Sequence, residues 1–391
     1  MDATQRLMGS HTEKITEKIA YFIACGAALQ VAESMIPHPV PGVRLGLANM
    51  MTLLALNSMG AGMAFRVAFL RPIVSSLILG SLLGPSFFMS LSGSVAAFLT
   101  MWFTRALFRT YISNYGVSIL GAVSHNLAQL IIAYFFLIRH PGVFVFLPVL
   151  LLSALFSGYF TGWCVSYVVN KNRPEQDLWQ GGVNASGIAG TTGIAGTTEM
   201  TGINIEKGSG RTLLKIFLVL PTIVIVSLVS GLRPFIYSSL WLVFLIAAFR
   251  VPVKRLLGSM AFLWVLVFAS LVSHVLMTPG TEIFRMGFLR ITTQGLENGG
   301  IASFRIVLIT ISAGVLLWST GTDELLSGLL RFFSPLRQVG VPVEKIFYVI
   351  GLAIVLFPSV LQRVRGTKPI SIHSILDSIH RDCHAPFGRS Q

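Results

Sequence analysis

The chain has few charged residues for its length. Only 11% of its 391 residues are charged, whereas 53% are hydrophobic and the mean hydropathy is +0.75. Soluble domains carry about 25% charged residues, so this composition excludes an ordinary soluble protein. The first 18 residues are polar and the apolar run that follows is too long for a signal core, so we expect no cleaved leader. The composition predicts an all-α, multi-pass membrane protein.

Cysteine and aspartate are also scarce. Three cysteines and five aspartates are present, and neither set has the spacing of a metal site. No Gly-x-x-x-x-Gly-Lys-Ser/Thr loop exists, which excludes ATP hydrolysis by that route. Magnesium-dependent prenyl transfer needs clustered carboxylates, and the chain has no such cluster. We therefore predict no catalytic residues, no metal and no cofactor.

The net charge of +14 would indicate nucleic-acid binding in a soluble protein. Here the basic residues lie in short loops between apolar runs, so they indicate topology and contact with anionic lipid. With the N-terminus in the cytoplasm, the first 173 residues place nine basic residues inside and two outside. The inner residues are Arg6, Lys14, Lys18, Arg66, Arg71, Arg105, Arg109, Lys171 and Arg173, and the outer ones are Arg44 and Arg139. We predict a cell-membrane protein with a cytoplasmic N-terminus.

Six apolar spans are predicted before residue 173. The first, at about 19–36, carries small side chains at every fourth position: Ala20, Ala24, Ala28 and Ala32. In lipid such a stripe lets a second helix approach closely, so we predict a helix-docking face, against the alternative of ordinary packing in the bundle. Arg71 and Pro72 are expected to lie between the second and third spans.

Polar residues inside these spans define a candidate pocket. The Pro37–Arg44 loop has three prolines in five residues, which forbid a helix there. Intramembrane polar groups are costly and are often functional, although a snorkelling arginine and a satisfied buried histidine are the structural alternatives. The predicted ligand-binding residues are Glu33, Arg44, Asn49, Ser124, His125, Asn126 and Gln129.

The second half is separated from the first by a low-complexity segment. Residues 174–211 contain a repeated Gly-Ile-Ala-Gly-Thr-Thr and are predicted to form a flexible linker. A second membrane domain is predicted at 212–366, with four or five spans, and a basic tail at 367–391. An amphipathic cytoplasmic helix with Thr322 as its N-cap is expected to contact lipid or a soluble partner. Its candidate coupling residues are Leu325, Leu329, Arg331, Phe333 and Arg337.

Four stretches of the first domain carry a family likeness: Pro41-Gly-Val-Arg-Leu-Gly-Leu-Ala-Asn49, Leu70-Arg-Pro72, Ser90-Leu-Ser-Gly93 and Gly116 to Asn126. They resemble the Gx transporter family, which is also labelled heptaprenyl diphosphate synthase component I. The likeness covers about residues 15–173. It implies a six-helix bundle similar to the substrate-binding S components of energy-coupling-factor (ECF) transporters.

The second domain resembles the transmembrane T component of the same transporters, the CbiQ-like family. The likeness lies in Arg305 within a span, the helix from Asp323 to Leu336, Gly340-Val-Pro342 and Phe357-Pro358. It covers about residues 212–366 and implies ATP-binding cassette ATPases as partners in trans.

Three functions stay open at this stage. The first is a component of an uptake transporter for a small vitamin-like, cofactor-like or isoprenoid-related molecule. The second is a non-transporting membrane partner in isoprenoid or quinone metabolism or in membrane-linked electron transfer. The third is an intrinsic membrane enzyme, which the absence of a nucleophile–base pair disfavours.

Overall fold

The structure is a computed structural model that describes residues 3–34, 46–108, 111–171, 210–229, 231–252, 254, 256, 263–286 and 289–366. Within these ranges it is almost entirely helical, and eight helices are long and apolar enough to cross a membrane. The all-α multi-pass prediction is thereby confirmed. Three predicted features lie outside the described residues: the Pro37–Arg44 loop, linker residues 174–209 and the tail 367–391.

The first bundle consists of six helices, as predicted. They are α1 Ala3–Ser34, α2 Leu47–Met59, α3 Ala61–Ile78, α4 Pro85–Phe108, α5 Asn114–Ile132 and α6 Leu147–Lys171. A π-helical turn continues α5 to Ile138, and a 3-10 turn over Pro141–Phe146 precedes α6. The short connections make sequential helices antiparallel neighbours, so α3 and α5 end at the same end of the bundle.

Six helices of the second bundle lie within the described residues. They are α7 Gly210–Leu228, α8 Leu232–Ala248, α9 Trp264–Met277, α10 Thr293–Ser319, α11 Thr322–Phe333 and α12 Val343–Gly366. Between α9 and α10 lies an antiparallel hairpin that hydropathy did not predict, formed by β1 Glu282–Met286 and β2 Leu289–Thr292. The exposed Glu282 carboxylate lies 3.9 Å from Arg285 and 3.8 Å from Arg290.

Two sequence-based boundaries are wrong, and the first span continues a helix that begins earlier. The polar lead to residue 18 is helical, because α1 starts at Ala3 and runs without a break into the first span. Helix α11 begins at Thr322 itself and is preceded by Gly321, so Thr322 is not the N-cap. The third helix begins at Ala61 rather than at Pro72, which places Arg71 and Pro72 inside it.

The two bundles share their hydrophobic cores. One buried cluster contains Ala24 and Ala28 of α1 together with Ile350 and Ala353 of α12, so the last helix packs on the first. At the other contact, Leu137 after α5 meets Arg305 of α10, whereas Gly80 after α3 meets the Trp318 ring. Arg305 and Trp318 are 13 positions apart, or about 20 Å along the helix. The end of the first bundle where α3 and α5 terminate therefore lies along α10. The helices of the first bundle are strongly inclined to α10 as a result.

Candidate functional site

A buried arginine organises the polar interior of the first bundle. Arg71, in the middle of α3, is only 2% exposed. Its Nη2 donates to Asn49 Oδ1 of α2 at 3.1 Å and to Ser94 Oγ of α4 at 2.7 Å. Its Nη1 donates to Gln30 Oε1 of α1 at 3.4 Å. One guanidinium thus connects four helices.

Arg71 fits into this position because two local features make room for it. Gly26 of α1 faces the arginine, and a Cβ there would lie 2.6 Å from the Arg71 side chain. Pro72 lacks an N–H, which leaves the carbonyl of Ala68 without its helical donor. The Ser94 hydroxyl donates to that carbonyl at 2.7 Å, so the proline defect in α3 is satisfied from α4.

The arginine fixes the orientation of a chain of side chains that ends on α5. Because Asn49 Oδ1 accepts from Arg71, its Nδ2 faces His125 Nδ1, at 3.5 Å. His125 Nδ1 is then the acceptor and Nε2 carries the proton. The Gln129 carboxamide lies 3.0 Å from Nε2, and the amide orientation that suits this tautomer turns its oxygen toward the ring.

These side chains surround a small polar cavity of about 40 Å³. By volume it holds about one water molecule. The cavity is lined by Gln30, Glu33, Gly46, Ala48, Asn49, Arg71, Ser90, Ala122, His125, Asn126, Gln129 and Ser157. We call it the relay cavity.

The predicted pocket residues divide into those that line the relay cavity and those that do not. Glu33 lines it and accepts a hydrogen bond from Gly46 N at 2.8 Å. Asn126 also lines it, but its Nδ2 donates to the Leu150 carbonyl of α6 at 2.8 Å. Ser124 is not in the lining. Its hydroxyl donates to the main-chain oxygens of Gly121 and Ala96, so it joins α5 to α4. Arg44 lies outside the described residues.

Sequence reasoning missed four polar lining residues: Gln30, Arg71, Ser90 and Ser157. The sequence predicts a third span that begins at about Pro72, which places Arg71 just before it. The sequence signal that could place Arg71 inside a helix is the short distance from Arg66 to Leu79. That stretch is too short to hold both a loop and a full membrane span. With Arg71 buried inside α3, the basic residues assigned to the inner side number eight rather than nine, against two on the outer side.

A larger cavity of about 240 Å³ lies next to the relay cavity, between the two bundles. The first bundle contributes mainly Ser, Gly and Pro residues of α3, α4 and their connection, and α10 contributes Thr310, Ala313 and Gly314. Gln30 and Ser90 line both cavities, and Gln30 Nε2 donates to Ser90 Oγ at 3.3 Å between them. This hydrogen bond joins α1 to α4 at the boundary between the two cavities.

The amphipathic helix α11 turns most of its apolar face inward. Leu325 is 1% exposed, and a Cβ at Gly328 would lie 2.6 Å from Thr212 of α7. The second bundle covers Leu325 in this structure, and its coupling role stays a prediction. The exposed apolar surface lies further along, at Phe333, Leu336 and Val339, beside the Arg337–Glu344 ion pair.

Within the described residues, no group of three or more His, Cys, Asp or Glu side chains lies close enough to hold a metal ion. The buried polar groups of the relay cavity are amides, hydroxyls, one imidazole, one guanidinium and one carboxylate. Such a set binds by hydrogen bonding and charge, and it contains no activated nucleophile.

Comparison with known proteins finds a family model that is similar to the first bundle. Residues 22–168 match heptaprenyl diphosphate synthase component I. This range covers α2 to α5 completely, nearly all of α6 and the second part of α1, and it includes every described residue that lines the relay cavity. The resemblance stated from the sequence is thereby confirmed for the first bundle.

Curated relatives carry a second name, the energy-coupling factor transporter transmembrane protein EcfT. The chain is 31% identical over 148 residues to EcfT of Thermanaerovibrio acidaminovorans, covering 37% of this chain and 55% of the relative. The chain is 28% identical over 135 residues to EcfT of Heliobacterium modesticaldum, covering 34% of this chain and 51% of that relative. It is 26% identical over 140 residues to EcfT of Bacillus subtilis, covering 35% of this chain and 52% of that relative. The chain thus spans about half the length of the curated relatives it matches. No solved structure matches it.

Proposed function

We propose that this chain is a membrane component of an ECF-type uptake transporter. The first bundle binds a small molecule in the relay cavity, and the second bundle is the transmembrane coupling component. The observation that carries the proposal is the chain of hydrogen bonds from Arg71 through Asn49 to His125, buried inside a bundle that packs against a second one. Similarity of part of this chain to EcfT proteins supports a coupling component, and the sequence features of the T component lie in the second bundle.

The relay cavity suits a small ligand with several hydrogen-bonding groups. Its polar side chains present donors and acceptors from all six helices of the first bundle, and Glu33 and Arg71 supply both signs of charge. A ligand larger than a water molecule enters only if the bundle opens. The Gln30–Ser90 hydrogen bond is the contact that separates the ligand from the 240 Å³ cavity between the bundles. We propose that this inter-bundle cavity lies on the route of release.

The alanine stripe of α1 is the proposed docking face between the two bundles. Ala20, Ala24 and Ala28 are fully buried and lie on the side of α1 opposite Gly26, which faces Arg71. Helix α12 packs on α1 and supplies Ala353, also fully buried. Because both bundles belong to one chain, the linker keeps their effective concentration high.

Paired ATPase subunits in trans are the proposed energy source, since the chain has no phosphate-binding loop of its own. Their contact surface is the end of α11 and the turn after it, where Phe333, Leu336 and Val339 are exposed. The eight-against-two distribution of basic residues supports a cytoplasmic N-terminus, which places α11 in the cytoplasm as well.

The direct test is to purify the protein and identify co-purifying small molecules by mass spectrometry. Asn49→Ala and His125→Ala should each reduce the retained molecule at least tenfold. Ser92→Ala is the matched control, because its hydroxyl donates only to the Met89 carbonyl of its own helix.

A pull-down distinguishes the coupling partner. Recovery of ATP-binding subunits supports the transporter. Recovery of a soluble synthase or redox protein in their place, together with unchanged retention in Asn49→Ala, would overturn the proposal.

A further inference from the structure

A second polar cavity lies at the opposite end of the first bundle. It has a volume of about 320 Å³ and is lined by Leu56, Asn57, Arg105, Asn114 and Val169, where α2, α4 and α6 end and α5 begins. Asn57 is eight residues after Asn49 on α2, or about 12 Å along the helix, so this cavity is separate from the relay cavity. We call it the basal cavity.

The orientation of its polar side chains follows from Arg105. An arginine has only donors, so the Asn114 atom that contacts Arg105 Nη2 is the side-chain oxygen. Asn57 Nδ2 donates to the same oxygen at 3.3 Å, so the Asn57 oxygen faces away. Arg105 Nε and Asn57 Oδ1 are both buried without a hydrogen-bond partner among the described residues. Both residues line the basal cavity, so its wall contains an orphan donor on a cation and an orphan acceptor, and both atoms are covered in this conformation.

Orphaned buried groups of this kind cost about 1–3 kcal/mol each, so a native structure retains them where something satisfies them. Water would satisfy the hydrogen bonds but would leave the arginine charge uncompensated, since no carboxylate in the described part of the chain pairs with Arg105. The N-terminus of α5, at Asn114, adds further positive potential at the same place. A ligand that matches all three features is an anion that also carries a hydroxyl.

The surroundings of the basal cavity indicate where such an anion comes from. Large apolar side chains next to Arg105 are exposed on the protein surface: Phe103, Leu107, Phe108 and Tyr111. Aromatic residues of this kind are typical of the membrane–water interface, where lipid headgroups lie. Basic pockets between membrane helices at this depth bind anionic headgroups.

We infer that the basal cavity binds a glycerol-bearing phosphate, with the phosphate on Arg105 and a glycerol hydroxyl donating to Asn57 Oδ1. Phosphatidylglycerol supplies this chemistry from the membrane and glycerol 3-phosphate supplies it from solution. The site does not depend on the transport function proposed above.

The test uses the full-length protein in nanodiscs of phosphatidylcholine, with or without one-fifth phosphatidylglycerol, and native mass spectrometry of retained lipid. Arg105→Gln should lower phosphatidylglycerol retention at least tenfold. Asn57→Ala, which keeps the charge, should lower it severalfold. Arg66→Gln is the matched control, because it removes the same charge from an exposed side chain whose only hydrogen bond is to Met63 Sδ, and it should leave retention unchanged.

Each outcome supports or overturns the proposed phosphate site. Equal losses in Arg105→Gln and Arg66→Gln would show that lipid responds only to net charge, and would overturn the site. Glycerol 3-phosphate added to phosphatidylcholine nanodiscs should raise the unfolding temperature if the source is soluble. No effect of either ligand overturns the inference. If Arg105→Gln does not fold, Arg105→Lys keeps the charge but loses Nε, and unchanged retention in that variant contradicts the proposed geometry.

Discussion

Among the described residues, each bundle contains one deeply buried arginine, and the two arginines use their charge differently. Arg71 in α3 is 2% exposed and donates to three side chains, on Asn49, Ser94 and Gln30. Arg305 in α10 is 4% exposed and donates to two main-chain oxygens, of Leu137 at 3.3 Å and Val229 at 3.2 Å. Its guanidinium also lies 5.7 Å from the Phe235 ring centre.

The difference lies in what the partners can do. Side-chain amides and hydroxyls can rotate and exchange partners, so the groups around Arg71 can rearrange around a ligand. The carbonyls at the ends of helical segments are fixed, so Arg305 holds the end of α5 against the end of α7. A buried guanidinium that donates to side chains is therefore suited to ligand binding. A buried guanidinium that donates to main-chain oxygens is suited to joining the bundles.

The strongest test of this comparison replaces each arginine with methionine. Arg71→Met should reduce small-molecule retention at least tenfold and should also destabilise the fold, because each orphaned polar partner costs about 1–3 kcal/mol. Arg305→Met should lower the unfolding temperature and leave retention nearly unchanged. Mass spectrometry of the retained molecule and thermal unfolding measure the two effects. Equal losses of retention in both variants would abolish the distinction.

A second test moves His125 without removing it. A Cβ at Gly93 would lie 2.8 Å from the His125 ring, so Gly93→Ala should push the ring away from Asn49 and Gln129. We expect retention to fall severalfold. Gly62→Ala is the control, because its Cβ would meet nothing within 4 Å, and a helical Gly→Ala change there should stabilise the protein by about 0.5–1 kcal/mol. Unchanged retention in Gly93→Ala would remove the histidine from the site.

A third test examines how Ser94 supports Arg71 and the proline defect together. Pro72→Ala restores the helical N–H and gives the Ala68 carbonyl its own donor. Ser94→Ala should therefore cost less in the Pro72→Ala background than in the natural chain, with a coupling energy of about 0.5–1.5 kcal/mol. A double-mutant cycle on the free energy of unfolding measures it. Strict additivity would mean that Ser94 acts only through Arg71.

The smallest effect is expected at the junction that Arg305 supports. The rings of His140 and His274 lie 4.5 Å apart across the two bundles. Burial, and then repulsion from His274, lower the pKa of His140 below its ordinary value. A depressed histidine pKa penalises the folded state on protonation, so stability is complete above about pH 6.5 and falls as the pH drops through the folded pKa.

Replacing His140 with asparagine should therefore reduce the difference in unfolding temperature between pH 7.5 and pH 5.5 by a few degrees. Asparagine retains an acceptor for Gly142 N, which now donates to His140 Nδ1 at 3.0 Å. An unchanged pH dependence would show that His140 does not sense acid at this junction.

The polar pocket could be anticipated only in part. Asn49, His125, Asn126 and Gln129 are conspicuous in apolar runs, and the structure brings all four around one cavity. Arg71 could not be assigned from its neighbours, because an arginine before a proline is ordinary in a loop. It is tolerated in α3 because Ser94, which lies 22 positions after Pro72, satisfies the carbonyl that Pro72 leaves free.

The sequence by itself determined the environment and the elements. Apolar length decides whether a segment enters a membrane, and this property adds up residue by residue along the chain. The tertiary structure alone decided which polar groups meet, the inclination of the first bundle along α10 and the burial of Leu325. Those outcomes depend on hydrogen bonds and packing between segments far apart in the chain, and a polar group in a nonpolar interior is stable only when a partner from another helix reaches it.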